Sequence, residues 1–321
     1  MLEKKKDYKA WIYMAIPLFL LGVFTFYPLI KTVLVSLFTD YNSTANTLGN
    51  YISFDAYKFL FMVPKGLEGE TPLFVQNLWN TVLVVIISVP VSTAIALLMS
   101  VALNAIKPLQ KVLQTIFFIP YVTNTLAIGM VFSILFQHTM LGAKPEGLIN
   151  TIFGLNTDWV GPSATKFNWM FVTLLYIVWN GLPFKVLIFM GGLQSISKQY
   201  YDAAKIDSTP STRVFWKITV PLLSPMISYV LITSFIGAFK TYEAVIAVAG
   251  EGAGREINYG RNTVVGYVYT QIGKPGWTLP GTAIANVSYY SIGAAGAIVL
   301  FLIIMAITAV NLVISNRTVH Y

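Results

Sequence analysis

The hydrophobic positions of this chain fall into six long runs, separated by segments that are richer in glycine, proline, asparagine and charge. An α-helix of about 20 apolar residues crosses the ~30 Å hydrocarbon core of a bilayer. The runs therefore predict six transmembrane helices, near residues 12–37, 79–105, 111–137, 168–192, 223–250 and 290–315. We expect an all-α polytopic membrane protein in which residues 1–321 form one transmembrane domain, because the sequence lacks the short alternating strands of a membrane barrel.

The amino-acid composition supports a membrane protein and argues against nucleic acid as a partner. Charged residues make up 11% of the chain and hydrophobic residues 56%, whereas a soluble domain carries about 25% charged residues. The net charge of +8 is not gathered on a polar domain but clusters at the ends of apolar runs, so we expect membrane lipid as the surrounding partner and no nucleic acid. The absence of cysteine excludes disulfides and thiolate metal sites.

The distribution of Lys and Arg predicts the orientation of the spans. One set of connecting segments, which includes both termini, carries 11 of these residues in 55 positions, and the other set carries 7 in 110. The denser set is expected on the cytoplasmic side, so both termini lie inside. The apolar run after the basic N-terminus is too long for a signal peptide, which predicts a retained first helix.

A charged segment interrupts the apolar pattern between the fourth and fifth spans, in the longest cytoplasmic loop. It reads QYYDAAKIDSTPSTRVFWKITVPLLSP, from Gln199 to Pro225. Its first part predicts a short helix that has Asp202 near its start and is broken at Ser208. A second short helix is expected to follow, with Thr209-Pro210 as N-cap and first helical residue and with Pro221 at its end. Two short helices of mixed polarity indicate a docking surface.

This loop resembles the EAA loop of permease subunits in binding-protein-dependent ABC importers. The family pattern is roughly E-A-A-x-x-x-G, nine variable residues, then I-x-L-P. Here it stands as Asp202-Ala203-Ala204-Lys205-Ile206-Asp207-Ser208 followed by Ile218-Thr219-Val220-Pro221. Asp replaces the usual Glu, and Ser208 replaces Gly, which makes a left-handed backbone there costlier. The flanks, including IPLFLLGVFTFYPLIKTVLVSLF and GLPFKVLIFMGGLQSIS, are similar to the sugar-type group, so the resemblance covers nearly the whole chain.

The resemblance implies a function, a location and partners. The chain would form the translocation pathway for a sugar or oligosaccharide in the prokaryotic plasma (inner) membrane, by alternating access. The loop 195–222 would carry the coupling helix, which binds one of two ATPase subunits. ATP and Mg would be bound by those subunits, with no cofactor on this chain; a second homologous permease, as a heterodimer, and an extracytoplasmic substrate-binding protein would complete the importer. The coupling residues would be Tyr201, Asp202, Ala203, Ala204, Ile206, Asp207 and Ser208.

Polar side chains inside the predicted spans are candidates for the substrate pathway. Lys185 could line the pathway, bond to a carbonyl freed by Pro183, or extend towards the inner surface. Lys240 and Glu243 lie three residues apart and would share a helix face, which favours a structural ion pair over a substrate contact. Aromatic and amide groups suit sugar recognition, although tyrosines also form interfacial belts. The candidate set is Tyr121, Asn124, Asn180, Phe184, Lys185, Lys240, Glu243 and Asn286.

Motifs for catalysis are missing from the sequence. It contains no G-x-x-x-x-G-K-[ST], so ATP is not expected to bind here, and its two histidines, His138 and His320, lie far apart. We therefore expect a transport subunit without catalytic or metal-binding residues. Two alternatives stay open: a permease for an acidic sugar or a glycerol-phosphate-type solute, and an ion-coupled secondary transporter, which would call for inverted repeats and a midplane carboxylate.

Overall fold

A computed structural model describes residues 7–49, 52–63, 71–106, 110–136, 147–161, 163–249, 260–272 and 287–318. Two π-helical segments, Gly22–Phe26 and Phe215–Thr219, continue α-helices without a break. The α-helices are α1 (Asp7–Leu21), α2 (Tyr27–Leu37), α3 (Asp55–Leu60), α4 (Leu73–Ala105), α5 (Gln110–Val122), α6 (Thr125–Leu135), α7 (Leu148–Phe153), α8 (Lys166–Ser195), α9 (Lys198–Ile206), α10 (Ser211–Val214), α11 (Val220–Leu222), α12 (Ser224–Phe239), α13 (Glu243–Ala249), α14 (Val264–Ile272) and α15 (Tyr289–Thr318).

Four helical segments are long and apolar enough to cross a bilayer by themselves. They coincide with the first, second, fourth and sixth predicted spans and cover Trp11–Leu37, Leu73–Ala105, Lys166–Ser195 and Tyr289–Val313. Strand-like pairing among the described residues is limited to two isolated bridges, Phe38 with Ile52 and Asn42 with Thr47. The prediction of an all-α membrane protein is confirmed.

The third and fifth predicted spans are each divided into two helices. The run 111–137 is divided between α5 and α6, and the Asn124 side chain caps α6 by accepting a hydrogen bond from the Leu126 amide at 2.8 Å. The run 223–250 is divided between α12 and α13 by Lys240–Tyr242. The expectation that Lys240 and Glu243 share a helix face is therefore wrong, since α12 ends at Phe239 before the lysine.

The helices are distributed over two compact units, each built from two separated stretches of chain. Unit 1 comprises Met1–Val75 and Tyr267–Phe301, and unit 2 comprises Gln76–Gly266 and Leu302–Tyr321. In unit 1 the two stretches are joined by hydrogen bonds from the Ser288 amide to the Thr39 carbonyl at 2.7 Å and from Ser291 Oγ to the Phe38 carbonyl at 2.6 Å. That the whole chain acts as one domain stays a prediction.

Unit 2 has an apolar core to which α4, α8 and α12 contribute. Its buried members are Ala96, Leu103, Val186, Phe189, Met190 and Val230. A polar contact joins α4 to the segment before α14, because Asn80 Nδ2 donates to the Gly260 and Asn262 carbonyls at 2.5 and 3.0 Å. Both amide hydrogens of this buried side chain are thereby satisfied, as burial requires.

A glycine allows α6 and α13 to pack closely within unit 2. Gly129 is buried on α6, and a methyl group added to it would clash with the Cβ of Ala247 on α13. Small residues at helix contacts allow close backbone approach in membrane proteins. Gly129 therefore has a packing role at this contact.

We predict that Gly129→Ala lowers the free energy of unfolding in detergent by about 1–3 kcal/mol, because the added methyl group overpacks the contact with Ala247. The matched control is Gly191→Ala on α8, where a Cβ meets nothing within 4 Å and alanine favours the helix. Thermal unfolding of both variants measures the effect. Equal stability of the two variants would contradict the packing assignment.

The predicted orientation can be tested because the chain has no native cysteine. Ala203 and Ala45 are both exposed and are expected on opposite sides of the membrane. We predict that a membrane-impermeant maleimide labels Ala45→Cys on intact cells, or on spheroplasts if the host has an outer membrane, and labels Ala203→Cys only after the plasma membrane is permeabilised. Labelling of Ala203→Cys in intact cells would reverse the orientation.

Candidate functional site: a membrane cavity and a projecting loop

Unit 2 contains a cavity of about 360 Å³ between its helices. The volume lies in the range of roughly 300–1,000 Å³ that small-molecule sites occupy. Hydroxyl groups are prominent in the lining. The residues around the cavity are Ser88, Val89, Ser92, Tyr121, Thr125, Ile177, Asn180, Gly181, Phe184, Lys185, Thr233, Ser234, Gly237, Ala238, Thr241 and Ala244.

The one ionisable ammonium in this lining belongs to Lys185. Its side chain is 6% exposed, and its Nζ donates to Ser92 Oγ on α4 at 2.5 Å. The Ser92 hydroxyl in turn donates to the Ser88 carbonyl, which leaves its oxygen lone pairs facing the ammonium. Among the described residues, Ser92 is the only hydrogen-bond partner of this ammonium, and no described carboxylate lies within 4 Å of it.

Aromatic and amide groups form another part of the wall. The Tyr121 ring on α5 stacks on the Phe184 ring of α8, with centroids 5.6 Å apart and planes 18° apart. Asn180 lies one turn before Phe184 on the same helix. The side chains of Asn180 and Ser234 make no hydrogen bond to other described residues, so both can bond to a molecule in the cavity.

The loop after α8 presents a short helix, α9, with one buried and one exposed side. Ser197 caps its start by accepting from the Gln199 amide at 3.4 Å. Ala204 is buried at 7% exposure, and Tyr201 Oη lies 3.3 Å from the buried Thr219 Oγ1. Ala203 is exposed, and Ile206 is 84% exposed. The helix therefore packs on its own chain through one side and offers the other side to a neighbour.

The end of α9 is stabilised by a Schellman motif. Ser208 has a left-handed φ of 52°, and its amide donates to the Lys205 carbonyl at 3.0 Å. The next amide, of Thr209, donates to the Ala204 carbonyl at 2.9 Å. These two bonds satisfy carbonyls that a helix end leaves free. The sharp bend expected where the family has glycine is therefore present, although serine occupies the position.

Comparison with known proteins identifies the family. The model of the family described as "Binding-protein-dependent transport system inner membrane component" matches residues 92–320. The chain belongs to this family. It is a permease subunit and a multi-pass protein of the prokaryotic plasma membrane.

Individual relatives agree with the family assignment, and a solved structure shares the fold. The arabinooligosaccharides permease AraP of Bacillus subtilis is 30% identical over 77% of this chain and 73% of its own length. A probable ABC transporter permease of Mycoplasma genitalium, MG188, is 32% identical over 65% of this chain and 62% of its own. The fold matches a bacterial alginate ABC transporter chain, solved in complex with a pentasaccharide-bound periplasmic protein, with a TM-score of 0.75 and 17% identity over 98% of this permease and 96% of that chain.

The structure brings together half of the predicted pathway residues. Tyr121, Asn180, Phe184 and Lys185 line the cavity. Asn124 does not, because its side chain caps α6. Lys240 and Glu243 are exposed at the break between α12 and α13 and lie outside the lining. Asn286 lies outside the described residues.

Lys185 itself differs from both structural alternatives suggested by the sequence. The ammonium does not bond to a carbonyl freed by Pro183, and its side chain does not extend to the inner surface. Its described partner is Ser92, 93 positions away in the sequence.

Sequence reasoning missed the hydroxyl groups of the cavity. Ser88, Ser92, Thr233 and Ser234 lie in apolar runs and were assigned no role. One signal was present, because Ser88 and Ser92 are four residues apart and so share a helix face. Nothing in their spacing indicated which of their neighbours they would meet.

The loop of this permease differs in detail from the sequence prediction. Pro210, not Thr209, is the N-cap, and the second helix begins at Ser211. It continues through Pro221 to Leu222 before a 68° bend leads into α12. Pro221 has no amide hydrogen to donate to the preceding turn. Because that turn is π-helical and its hydrogen bonds are already shifted from the α-helical pattern, the proline interrupts no regular α-helix. Asp202 lies in the fifth position of α9 and pairs with Lys205 at 3.4 Å.

We predict that Ser208→Gly stabilises the end of α9 by about 1 kcal/mol, because glycine adopts the left-handed conformation without the strain of a Cβ. Hydrogen exchange of the amides at positions 208 and 209 should slow several-fold. Ser211→Gly is the matched control, since Ser211 is helical and glycine there weakens the helix. Faster hydrogen exchange in Ser208→Gly than in the parent permease would contradict the prediction that the serine backbone is strained at this position.

Proposed function

We propose that this permease forms the translocation pathway for a sugar or oligosaccharide, and that ATP is hydrolysed on separate ATPase subunits. The observation that carries the proposal is that one unit contains both a hydroxyl-lined cavity and a loop helix, α9, with an exposed side. Ile206 on this side is 84% exposed and lies outside the apolar spans. A partner that covers this side would remove that apolar surface from water.

The cavity supports a polyhydroxylated substrate. Asn180 and Ser234 have free hydrogen-bonding capacity, and the stacked rings of Tyr121 and Phe184 provide an apolar surface. Sites of this kind combine a few placed polar groups with apolar walls. The similarity to the arabinooligosaccharide permease AraP agrees with a saccharide as the transported class.

Movement of α9 could reach the cavity through a continuous chain of contacts. Ala204 of α9 is buried, and Tyr201 Oη lies 3.3 Å from Thr219 Oγ1 in the second loop helix. That helix bends directly into α12, which contributes Thr233 and Ser234 to the cavity. When two ATPases close on ATP, rigid-body displacement of α9 would shift a wall of the cavity and change its access.

The remaining partners follow from the type of transporter. A second homologous permease would complete the membrane part as a heterodimer, and an extracytoplasmic binding protein would deliver the substrate. ATP and Mg would be held by the ATPase subunits, with no cofactor on this chain. The alternative of an ion-coupled transporter calls for a carboxylate in the pathway, and among the described residues the cavity lining includes no Asp or Glu.

We predict that Ala203→Asp leaves insertion and folding intact but abolishes substrate-stimulated ATP hydrolysis by the assembled complex, because a charge would be buried where α9 meets its partner. The test uses the complete importer with its binding protein in proteoliposomes. Ala45→Asp, at another exposed alanine, is the matched control and should hydrolyse ATP normally. Undiminished stimulation in Ala203→Asp would contradict docking through α9. Ala204→Asp is unsuitable because that residue is buried within its own chain.

A further inference from the structure

Lys185 places a positive charge in a cavity that otherwise offers only neutral polar groups. The side chain is 6% exposed, and the described residues give its ammonium one partner, the Ser92 hydroxyl. An ammonium has three N–H donors, so two of them remain without a described acceptor. No described carboxylate lies within 4 Å. A buried cation in this condition is costly unless an anion or several acceptors compensate it.

Neighbouring groups show that this cation is held in place rather than left to move away. Ser92 directs its own hydroxyl hydrogen to the Ser88 carbonyl, so it can only accept from Lys185. One turn further along α8, Phe189 belongs to the apolar core to which α4 and α8 contribute. Lysines near the ends of spans usually extend their ammonium towards water. Here the ammonium bonds to the neighbouring helix instead.

We infer that the cavity selects a polyhydroxylated anion, a saccharide or polyol that bears a carboxylate, sulfonate or phosphate, and that Lys185 binds the anionic group. The hydroxyls of the same ligand would bond to Asn180 and Ser234, which have no described partners. The transported anion would supply the missing acceptors of the ammonium and neutralise its charge in a region of low dielectric constant, where such a pair is strong. This inference rests on the proposed transport function and narrows its substrate class.

The test compares charged and neutral probes on the complete importer, with its binding protein, in proteoliposomes loaded with ATP. The probes are a galacturonic acid trisaccharide against the galactose trisaccharide, and glycerol 3-phosphate against glycerol. The first pair tests a carboxylate and the second a phosphate, each against its neutral parent compound. Uptake and stimulated ATP hydrolysis are measured for the parent, Lys185→Met, Lys185→Arg and the control Lys31→Met, whose lysine bonds to Asn46 and does not line the cavity.

We expect the parent to take up at least one anionic probe in preference to its neutral partner. Lys185→Met should lower uptake of that anion by roughly 100-fold while leaving or raising uptake of the neutral probe. Lys185→Arg should keep most of the anion uptake because it retains the charge, and Lys31→Met should match the parent. If the complex with Lys185→Met does not assemble, Lys185→Gln replaces it, because glutamine keeps an N–H donor but has no charge. The inference is then tested by the same ratio of anionic to neutral uptake.

Two other results would overturn the inference while leaving the proposed function intact. One is a parent that imports the neutral saccharide as well as the anionic one. The other is a loss of both probes alike in Lys185→Met, which would make the lysine a structural residue. A parent complex that neither imports any of the four probes nor hydrolyses more ATP in their presence would instead count against the proposed transport of a sugar or oligosaccharide, and with it against the inference.

Discussion

The bilayer core has no water to bond an exposed backbone group, and two helix breaks in the described part of unit 2 show side chains that bond to such groups instead. At the start of α6, the Asn124 side chain accepts from the Leu126 amide. After α12, the Thr241 carbonyl accepts from Thr263 Oγ1 at 2.7 Å. Both breaks border the cavity, which Tyr121 and Thr125 line on one side and Thr241 on another. At these two breaks, irregular backbone therefore lies next to the candidate pathway.

The same constraint applies to side chains and explains the chemistry of the cavity. Serine and threonine hydroxyls inside an apolar helix can bond to carbonyls of their own helix, as Thr233 does to the Tyr229 carbonyl at 2.8 Å. Their oxygens remain available as acceptors, so they cost little while the cavity is empty. Lys185 differs from these hydroxyl groups, because its ammonium carries three donors and no acceptor, and its one described partner is Ser92 on another helix. Its dependence on Ser92 makes it the group in the cavity that gains most from an anionic ligand.

The loop that contains α9 lies outside the predicted spans, and α9 is stabilised by the same local interactions as helices of soluble proteins. Ser197 caps the start of α9, a Schellman motif closes its end, and one buried alanine fixes its rotation. These local interactions keep α9 rigid without a hydrophobic core of its own. Its direct connection through the second loop helix to α12 joins the exposed surface and the cavity wall in one stretch of chain, which suits the transmission of force.

Hydrophobicity and motif spacing are local properties, and they were sufficient for much of this protein. The long apolar runs predicted the helical membrane class, and the loop motif predicted the family and a break at Ser208. Lys185 was one of eight candidates for the pathway, with structural alternatives left open. The third and fifth runs are each divided into two helices, and Lys240 and Glu243 do not share a helix face. The apolar pattern did not show these breaks, because capping and packing against other helices decide where a helix ends.

Tertiary structure alone decided which polar groups meet. Ser92 and Lys185 are 93 positions apart, and Gly129 contacts Ala247 across two separate helices. It also decided that Ala203 is exposed while the adjacent Ala204 is buried, a difference that two identical side chains in a motif cannot reveal. The periodicity of a helix tells which residues share a side, but only the packing of the other helices determines which side is covered.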